Sequence, residues 1–166
     1  MRILIILVVL IAAFFIYTST NQIGMDSVDL DSTVVVESSA NWLTDLSEVQ
    51  AQAEKEGKPI LMDFTGSNWC GWCIKLKKEV FSQSTFIDYA NENLILMTVD
   101  FPRGVEQEES LVDQNYKLME KYRVDSFPTI ILVDAQGEVL AKTGYRRGGP
   151  ENYIEHLKSL LANSDN

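Results

Sequence analysis

One stretch constrains this chain more than any other: "ILMDFTGSNWCGWCIKLKKEVF", residues 60 to 81. Six residues of apolar character, interrupted by the single charge of Asp63, read as a buried strand. A short loop of Gly66 to Trp69 follows, and then helical spacing begins, with Cys73, Leu76 and Val80 on one face. A strand, a tight loop and a helix in that order put Cys70 at a helix N-terminus. Cys70 and Cys73 are the chain's only two cysteines, so whatever chemistry they do, they do with each other or with something outside the chain.

Several uses of such a pair can be tested by elimination. A structural zinc site needs four Cys or His ligands, and beyond the pair the sequence offers only His156, inside the last helix. Haem attachment needs a histidine after the second cysteine, where Ile74 stands. A structural staple is the bland alternative, but closing so small a loop removes unfolded-state entropy equivalent to only roughly 2 kcal/mol. Electron exchange uses the spacing more fully. Unpaired backbone N–H groups and the helix dipole favour a thiolate at Cys70, and lowering a thiol from ~8.5 to ~7 takes about 2 kcal/mol. Cys73, one turn further in, can then attack a mixed disulfide formed on Cys70. Cys70 is thus the expected nucleophile and Cys73 the resolving thiol. Asp63, a carboxylate in an apolar strand, has its pKa raised by burial and can take the proton of Cys73 during resolution. Trp72, between the thiols, is expected to contact substrate, and Trp69 to pack.

The remainder of the chain alternates helix and strand. "LSEVQAQAEKEGKP" places Leu46, Val49 and Ala53 on one helical face and stops at Gly57 and Pro59. Ser84 can cap a short helix running through Asn91, "LILMTVDF" (94 to 101) reads as a second buried strand, and "ESLVDQNYKLMEKY" as a helix with Leu111, Tyr116 and Met119 as partial apolar spacing. "PTIILVD" and "EVLAKTG" form a hairpin across "AQG", and a last helix starting near Pro150 turns Ile154, Leu157 and Leu161 inward. The expected architecture is α/β, a central mixed β-sheet with helices on both faces.

The N-terminus differs. Arg2 precedes an unbroken apolar run from Ile3 to Tyr17, which as a helix reaches ~22 Å, short of a ~30 Å hydrocarbon core. Residues 1–20 are expected to be a signal peptide or N-terminal membrane anchor, with retention as an anchor slightly favoured because no A-x-A cleavage site follows. Residues 21–40 read as a polar linker, within which "TVVVE" can pair as a short edge strand. Export puts the thiols in an oxidising compartment, periplasmic or otherwise extracytoplasmic, where they rest as a disulfide unless reduced. The net charge of −10 argues against nucleic acid as a partner.

At this point the sequence resembles the thioredoxin family. "DFTGSNWCGWC" is similar to that family's pattern of a strand and loop leading into W-C-x-x-C, and "SFPT" (126 to 129) matches the loop whose proline is cis. The resemblance covers about residues 41–163 and implies a thioredoxin fold. It implies that Phe127 and Pro128 face the cysteines and bind the substrate backbone, and that Gly144 and Tyr145 form part of the rim. It also implies no cofactor beyond the redox-active Cys70–Cys73 pair, and protein or peptide thiols and disulfides as partners, with a membrane electron donor as a further candidate.

The departures are Gly71-Trp72 between the cysteines, one extra residue between Asp63 and Cys70, and "FPRGVEQEES" (101 to 110), which looks like an insertion. Together they resemble an exported, often membrane-tethered branch of the family. The expected function is an exported thiol:disulfide oxidoreductase reducing or exchanging protein disulfides. The alternatives are a non-catalytic binding or chaperone-like module with a structural disulfide and, less suited because no T-x-x-C setting precedes Cys70, a peroxidase-like use of the fold.

Overall fold

The computed structural model describes residues 39–164. The proposed leader or anchor, and the "TVVVE" strand, lie outside the described residues, as does nearly all of the linker. Among the described residues, no helix is long and apolar enough to cross a membrane.

The elements run β1 (Trp42–Leu43), α1 (Leu46–Glu56), β2 (Ile60–Thr65), α2 (Gly71–Leu76) continuing into a π-helical turn (Lys77–Phe81), α3 (Ser84–Asn93), β3 (Ile95–Asp100), α4 (Glu109–Lys121), β4 (Thr129–Val133), β5 (Val139–Thr143) and α5 (Gly149–Ser164). The sheet order is β1-β3-β2-β4-β5. β3 pairs in parallel with β1 and β2, while β4 is antiparallel to β2 and to β5. Each parallel connection needs a crossover, and the helices that supply the crossovers cover the sheet faces.

Successive strand residues point to opposite faces, so β2 and β4 divide their side chains between two cores. Ile60, Met62, Phe64, Ile131 and Val133 meet Val49 and Ala53 of α1, Leu118 of α4 and Tyr122 just after it. Leu61, Ile130 and Leu132 meet Leu76, Val80, Phe81, Phe86, Tyr153 and Leu157. Asp63 lies on the same face of β2 as Leu61 and pairs with Ile130 in the sheet register, so its carboxyl points into the second core, on the side of the helix that carries the cysteines.

Helix ends follow local chemistry. Asp45 caps α1, its carboxylate accepting from the Glu48 N–H at 2.9 Å, and Gly57 closes the helix with φ of 66°, a conformation that costs glycine little. The β4–β5 turn is organised by Asp134, whose carboxylate accepts from the N–H groups of Gln136 and Glu138, both at 2.9 Å.

Two expectations are corrected and a third is extended. Ser84 is not a cap: the N-cap position is Gln83, without a side-chain capping bond, and α3 continues to Asn93. The buried residues of α4 are Asn115 and Leu118, with Met119 partly buried against the same core, whereas Tyr116, part of the expected apolar spacing, is among the most exposed large side chains. Asn115 displaces it because its amide donates to the Asp100 carbonyl at 3.0 Å, a polar need that apolar periodicity does not register. In α5 the inward stripe is Ile154 and Leu157 with Leu161 partly buried against the same core, and Tyr153 joins it, its hydroxyl donating to the Gly144 carbonyl at 3.2 Å.

Candidate active site

β2 delivers the chain to a loop that two backbone bonds fold tightly: Trp69 and Cys70 both donate to the Gly66 carbonyl, at 3.1 and 2.8 Å. Cys70 is the N-cap of α2, with extended backbone angles, and its carbonyl accepts the first helical bond from Ile74 at 3.0 Å. The cap is unusual in its acceptor. The Cys73 N–H donates to Cys70 Sγ at 3.3 Å, so sulfur occupies the place where Ser or Asp oxygen ordinarily takes up a free helix N–H. That same N–H and the helix dipole favour negative charge on Sγ when the bond to Cys73 is broken. Here the two sulfurs are joined, with the Cα atoms 5.2 Å apart, and both residues are nearly buried.

Below them, Asp63 is only partly enclosed as a residue, yet its Oδ1 is sealed from solvent and has no hydrogen-bond partner. Burial, reinforced by the charge of Asp100 and opposed by Lys77, pushes its carboxyl up to about 7. At neutral pH it is therefore poised to accept or release a proton.

The Phe127–Pro128 peptide bond is cis. The loop is braced by Thr129, whose hydroxyl donates to the Ser126 carbonyl at 2.7 Å. The chain also passes close to Gly144, where an added Cβ would stand 3.1 Å from the Pro128 carbonyl oxygen. Ring contacts join two of the expected site residues, Trp72 and Tyr145, to each other and a third, Phe127, to the loop before Cys70. Trp69 meets Phe127 edge-on with centroids 6.0 Å apart, and Trp72 lies against Tyr145 at 5.1 Å. The tryptophan before Cys70 and the one before Cys73 thus reach the proline loop and the Gly144–Tyr145 rim.

Other participants had weaker sequence signals. The Asn68 side chain pairs with the Arg103 backbone in both directions, donating to its carbonyl at 2.8 Å and accepting from its N–H at 3.0 Å. Ser67 donates twice to the Asp100 carboxylate, from N–H at 2.9 Å and Oγ at 2.5 Å. Trp69 Nε1–H donates to the Phe101 carbonyl at 2.8 Å, and the Arg103 guanidinium sits 3.8 Å from the Trp69 ring centroid. The loop before the cysteines is thereby tied to the segment that follows β3. The extra loop residue and the inserted segment were each legible as departures, but their bonding to one another was not.

On the other flank, Tyr145 donates its hydroxyl to Glu79 Oε2 at 2.6 Å, which raises the tyrosine pKa, and Lys75 reaches over both the Trp72 and Tyr145 rings. Lys75 is exposed but engaged, lying also 3.7 Å from the Glu79 carboxylate. His156 shares a 2.9 Å hydrogen bond with Thr143, and burial with the nearby charge of Arg146 lowers its pKa. Among the described residues, no group of three or more His, Cys, Asp or Glu side chains could hold a metal ion.

Comparison with known proteins agrees with this geometry. Residues 46–160 match the family model described as a thioredoxin-like domain. The chain is 36% identical over 115 residues to the disulfide bond reductase DsbH of Chlamydia pneumoniae, covering 69% of each protein. It is 28% identical over 127 residues to the thioredoxin-related protein DsbJ of the same organism, where the match covers 72% of this chain and only 36% of the relative. A solved structure titled DsbH oxidoreductase superposes with a TM-score of 0.73 at 33% identity, covering 81% of this chain and 93% of that one.

Proposed function

The chain belongs to the thioredoxin-like domain family, and from that premise we propose that it is an extracytoplasmic thiol:disulfide oxidoreductase that reduces protein disulfides through Cys70 and Cys73. The observation that carries this reading is the capping geometry: Cys70 Sγ accepts the Cys73 N–H at the start of α2.

In the reduced protein the Cys70 thiolate attacks one sulfur of a substrate disulfide, and the other substrate sulfur leaves as a thiolate. Cys73 gives its proton to the Asp63 carboxylate and attacks Cys70 Sγ, so the second substrate thiolate departs and the Cys70–Cys73 disulfide forms. Two electrons have passed to the substrate. Phe127 and Pro128 receive the substrate backbone beside the sulfurs, and Trp72 and Tyr145 line its path. The reducing direction is supported by the reductase to which the chain is 36% identical. Export is supported by the apolar run of Ile3 to Tyr17 behind Arg2, and a protein kept reduced outside the cytosol requires a supply of electrons, for which a membrane donor is the natural source.

Insulin reduction by wild type, Cys70→Ser and Cys73→Ser tests the reading. Wild type should turn over, Cys70→Ser should not rise above the uncatalysed rate, and Cys73→Ser should accumulate mixed disulfides with its substrates. Wild-type activity no greater than that of Cys70→Ser would leave the binding-module alternative, in which the disulfide is inert.

A further inference from the structure

The two faces of the sheet differ at its cysteine end. In the parallel pairing of β2 with β3, Asp63 stands opposite Thr98 and Thr65 opposite Asp100. Their neighbours Met62, Phe64, Met97 and Val99 point into the first core. By strand alternation Asp63, Thr65, Thr98 and Asp100 therefore share the other face, toward the cysteine helix. The two carboxyl groups are diagonal neighbours on adjacent strands, close enough for one charge to act on the other through space.

The fold treats the two carboxyls differently. Asp100 is clasped by Ser67, which donates its N–H at 2.9 Å and its hydroxyl at 2.5 Å, so its charge is fixed beside the loop that leads to Cys70. Asp63 has no such partner, and its sealed Oδ1 is unbonded. With no local hydrogen bond to favour either protonation state, the surrounding charges weigh more. Asp100 acts on it from β3 and Lys77 from the π-helical turn. α5 brings the Tyr153 hydroxyl, committed to the Gly144 carbonyl, with Arg146 beyond it. α2 brings Cys73, and β4 the apolar Ile130. Burial does most to raise the Asp63 pKa, Asp100 adds to it, and Lys77 opposes it.

We propose that Asp100 is a positioning residue of the exchange reaction: its carboxylate clasps the loop before Cys70 and, as a like charge on the next strand, sets the pH below which Asp63 stops accepting the proton of Cys73. The proposal rests on the thiol–disulfide reading above for that proton transfer. A carboxylate that is a stronger base at neutral pH takes a thiol proton more completely, and a neighbouring negative charge makes it one. The same side chain thus holds the approach to the nucleophile and tunes the base that serves the resolving thiol.

The test has two arms. In the first, the carboxyl carbon of Asp63 is followed by NMR against pH in the oxidised protein, its resonance identified by its loss in Asp63→Asn. Asp100→Asn keeps an oxygen for the Ser67 N–H and a donor for the Ser67 hydroxyl, and should lower the Asp63 midpoint by about one pH unit. Ser67→Ala opens the clasp but keeps the charge, and should not lower it. Asp100→Ser, smaller and also uncharged, makes the same measurement should Asp100→Asn not fold. In the second arm, the reduced protein is mixed rapidly with 5,5′-dithiobis(2-nitrobenzoate). Attack by Cys70 releases one 2-nitro-5-thiobenzoate, and Cys73, its proton passed to Asp63, displaces the second from Cys70 Sγ. Asp63 cannot accept that proton below its midpoint, so the acid limb of the second release should move to lower pH in Asp100→Asn by the same interval.

An Asp63 midpoint unchanged by loss of the Asp100 charge would overturn the proposal. So would an equal lowering by Ser67→Ala, which would assign the effect to loop geometry rather than charge. A lowered midpoint with the acid limb unmoved would overturn it too, because the charge would then act on Asp63 without touching the reaction. Failure of the wild type to release either thiolate would instead count against the thiol–disulfide reading, while the carboxyl titration, made without substrate, would still decide whether Asp100 governs Asp63.

Discussion

Two tryptophans flank Cys70, and the fold treats them oppositely. Trp69 is built in: its indole N–H is bonded to the Phe101 carbonyl, its ring lies under Arg103, one edge meets Phe127, and Gly66 fits against it so closely that an added Cβ would stand 2.5 Å from Cε2. Trp72 is presented: half its surface is exposed, at 52%, and its ring is held from the side by Tyr145 and Lys75. The same side chain therefore does two jobs within one loop. A tryptophan whose polar edge is bonded has a fixed orientation and serves as a wall, whereas one braced by soft ring contacts can adjust to what arrives.

The largest expected effect concerns the floor beneath both flanks. In the unfolded chain Asp63 ionises near its ordinary 3.8, but in the fold it keeps its proton to about 7. Between those values the folded state holds the extra proton, so stability falls as pH rises through that window. Asp63→Asn should abolish this slope and, at pH 8, raise stability by up to about 4 kcal/mol in denaturant titrations. The same variant should lengthen the life of the mixed disulfide at neutral pH. A variant with the wild-type slope would remove Asp63 from the proton path and leave the flanks to account for reactivity alone.

Next in size, Gly66→Ala should expel Trp69 from its seat and cost about 2 kcal/mol of stability, because the ring is fixed by several contacts and cannot simply turn aside. Trp72→Ala should cost under about 1 kcal/mol in stability yet raise KM for a protein disulfide roughly tenfold. Equal stability losses for the two would break the distinction between wall and presented ring. The smallest effect is reserved for Tyr145→Phe, which deletes the hydroxyl that reaches Glu79. A small loss of stability is expected, because the bond is open to solvent, together with a modest rise in KM if the hydroxyl holds the tyrosine behind Trp72. A Trp72 fluorescence spectrum identical to that of wild type would show that ring packing alone positions it.

Much of this was legible in the sequence where the signal is local. The β2 strand, the loop from Gly66 and the helix start at Cys70 follow from apolar patterning and the need of a helix N-terminus for a cap. Pro128 was placed only by resemblance to the family, since nothing in an X-Pro pair declares which isomer a fold selects. The ties between Asn68 and Arg103, and between Ser67 and Asp100, span 35 and 33 residues. They depend on two loops meeting at the same end of the sheet, which no periodicity encodes. Tyr116 was misplaced for the related reason that Asn115, a polar residue, won the inward position by bonding to a strand carbonyl.

The π-helical turn at Lys77–Phe81 has a consequence for how the cysteines are aimed. It is closed by the Ser82 N–H donating to the Lys77 carbonyl at 2.9 Å, and it buries the consecutive residues Val80 and Phe81. Such a turn holds one residue more than an α-helical turn would. Deleting that residue would rewind the helix and rotate everything before it by about 100° relative to everything after it. With Phe81 anchored against Trp42, Phe86 and Tyr153, the rotation would fall on the cysteine end. The azimuth of the sulfurs about the helix axis is thus set by a single surplus residue two turns away, and chains of this kind could re-aim their thiols by gaining or losing it while leaving the sheet untouched.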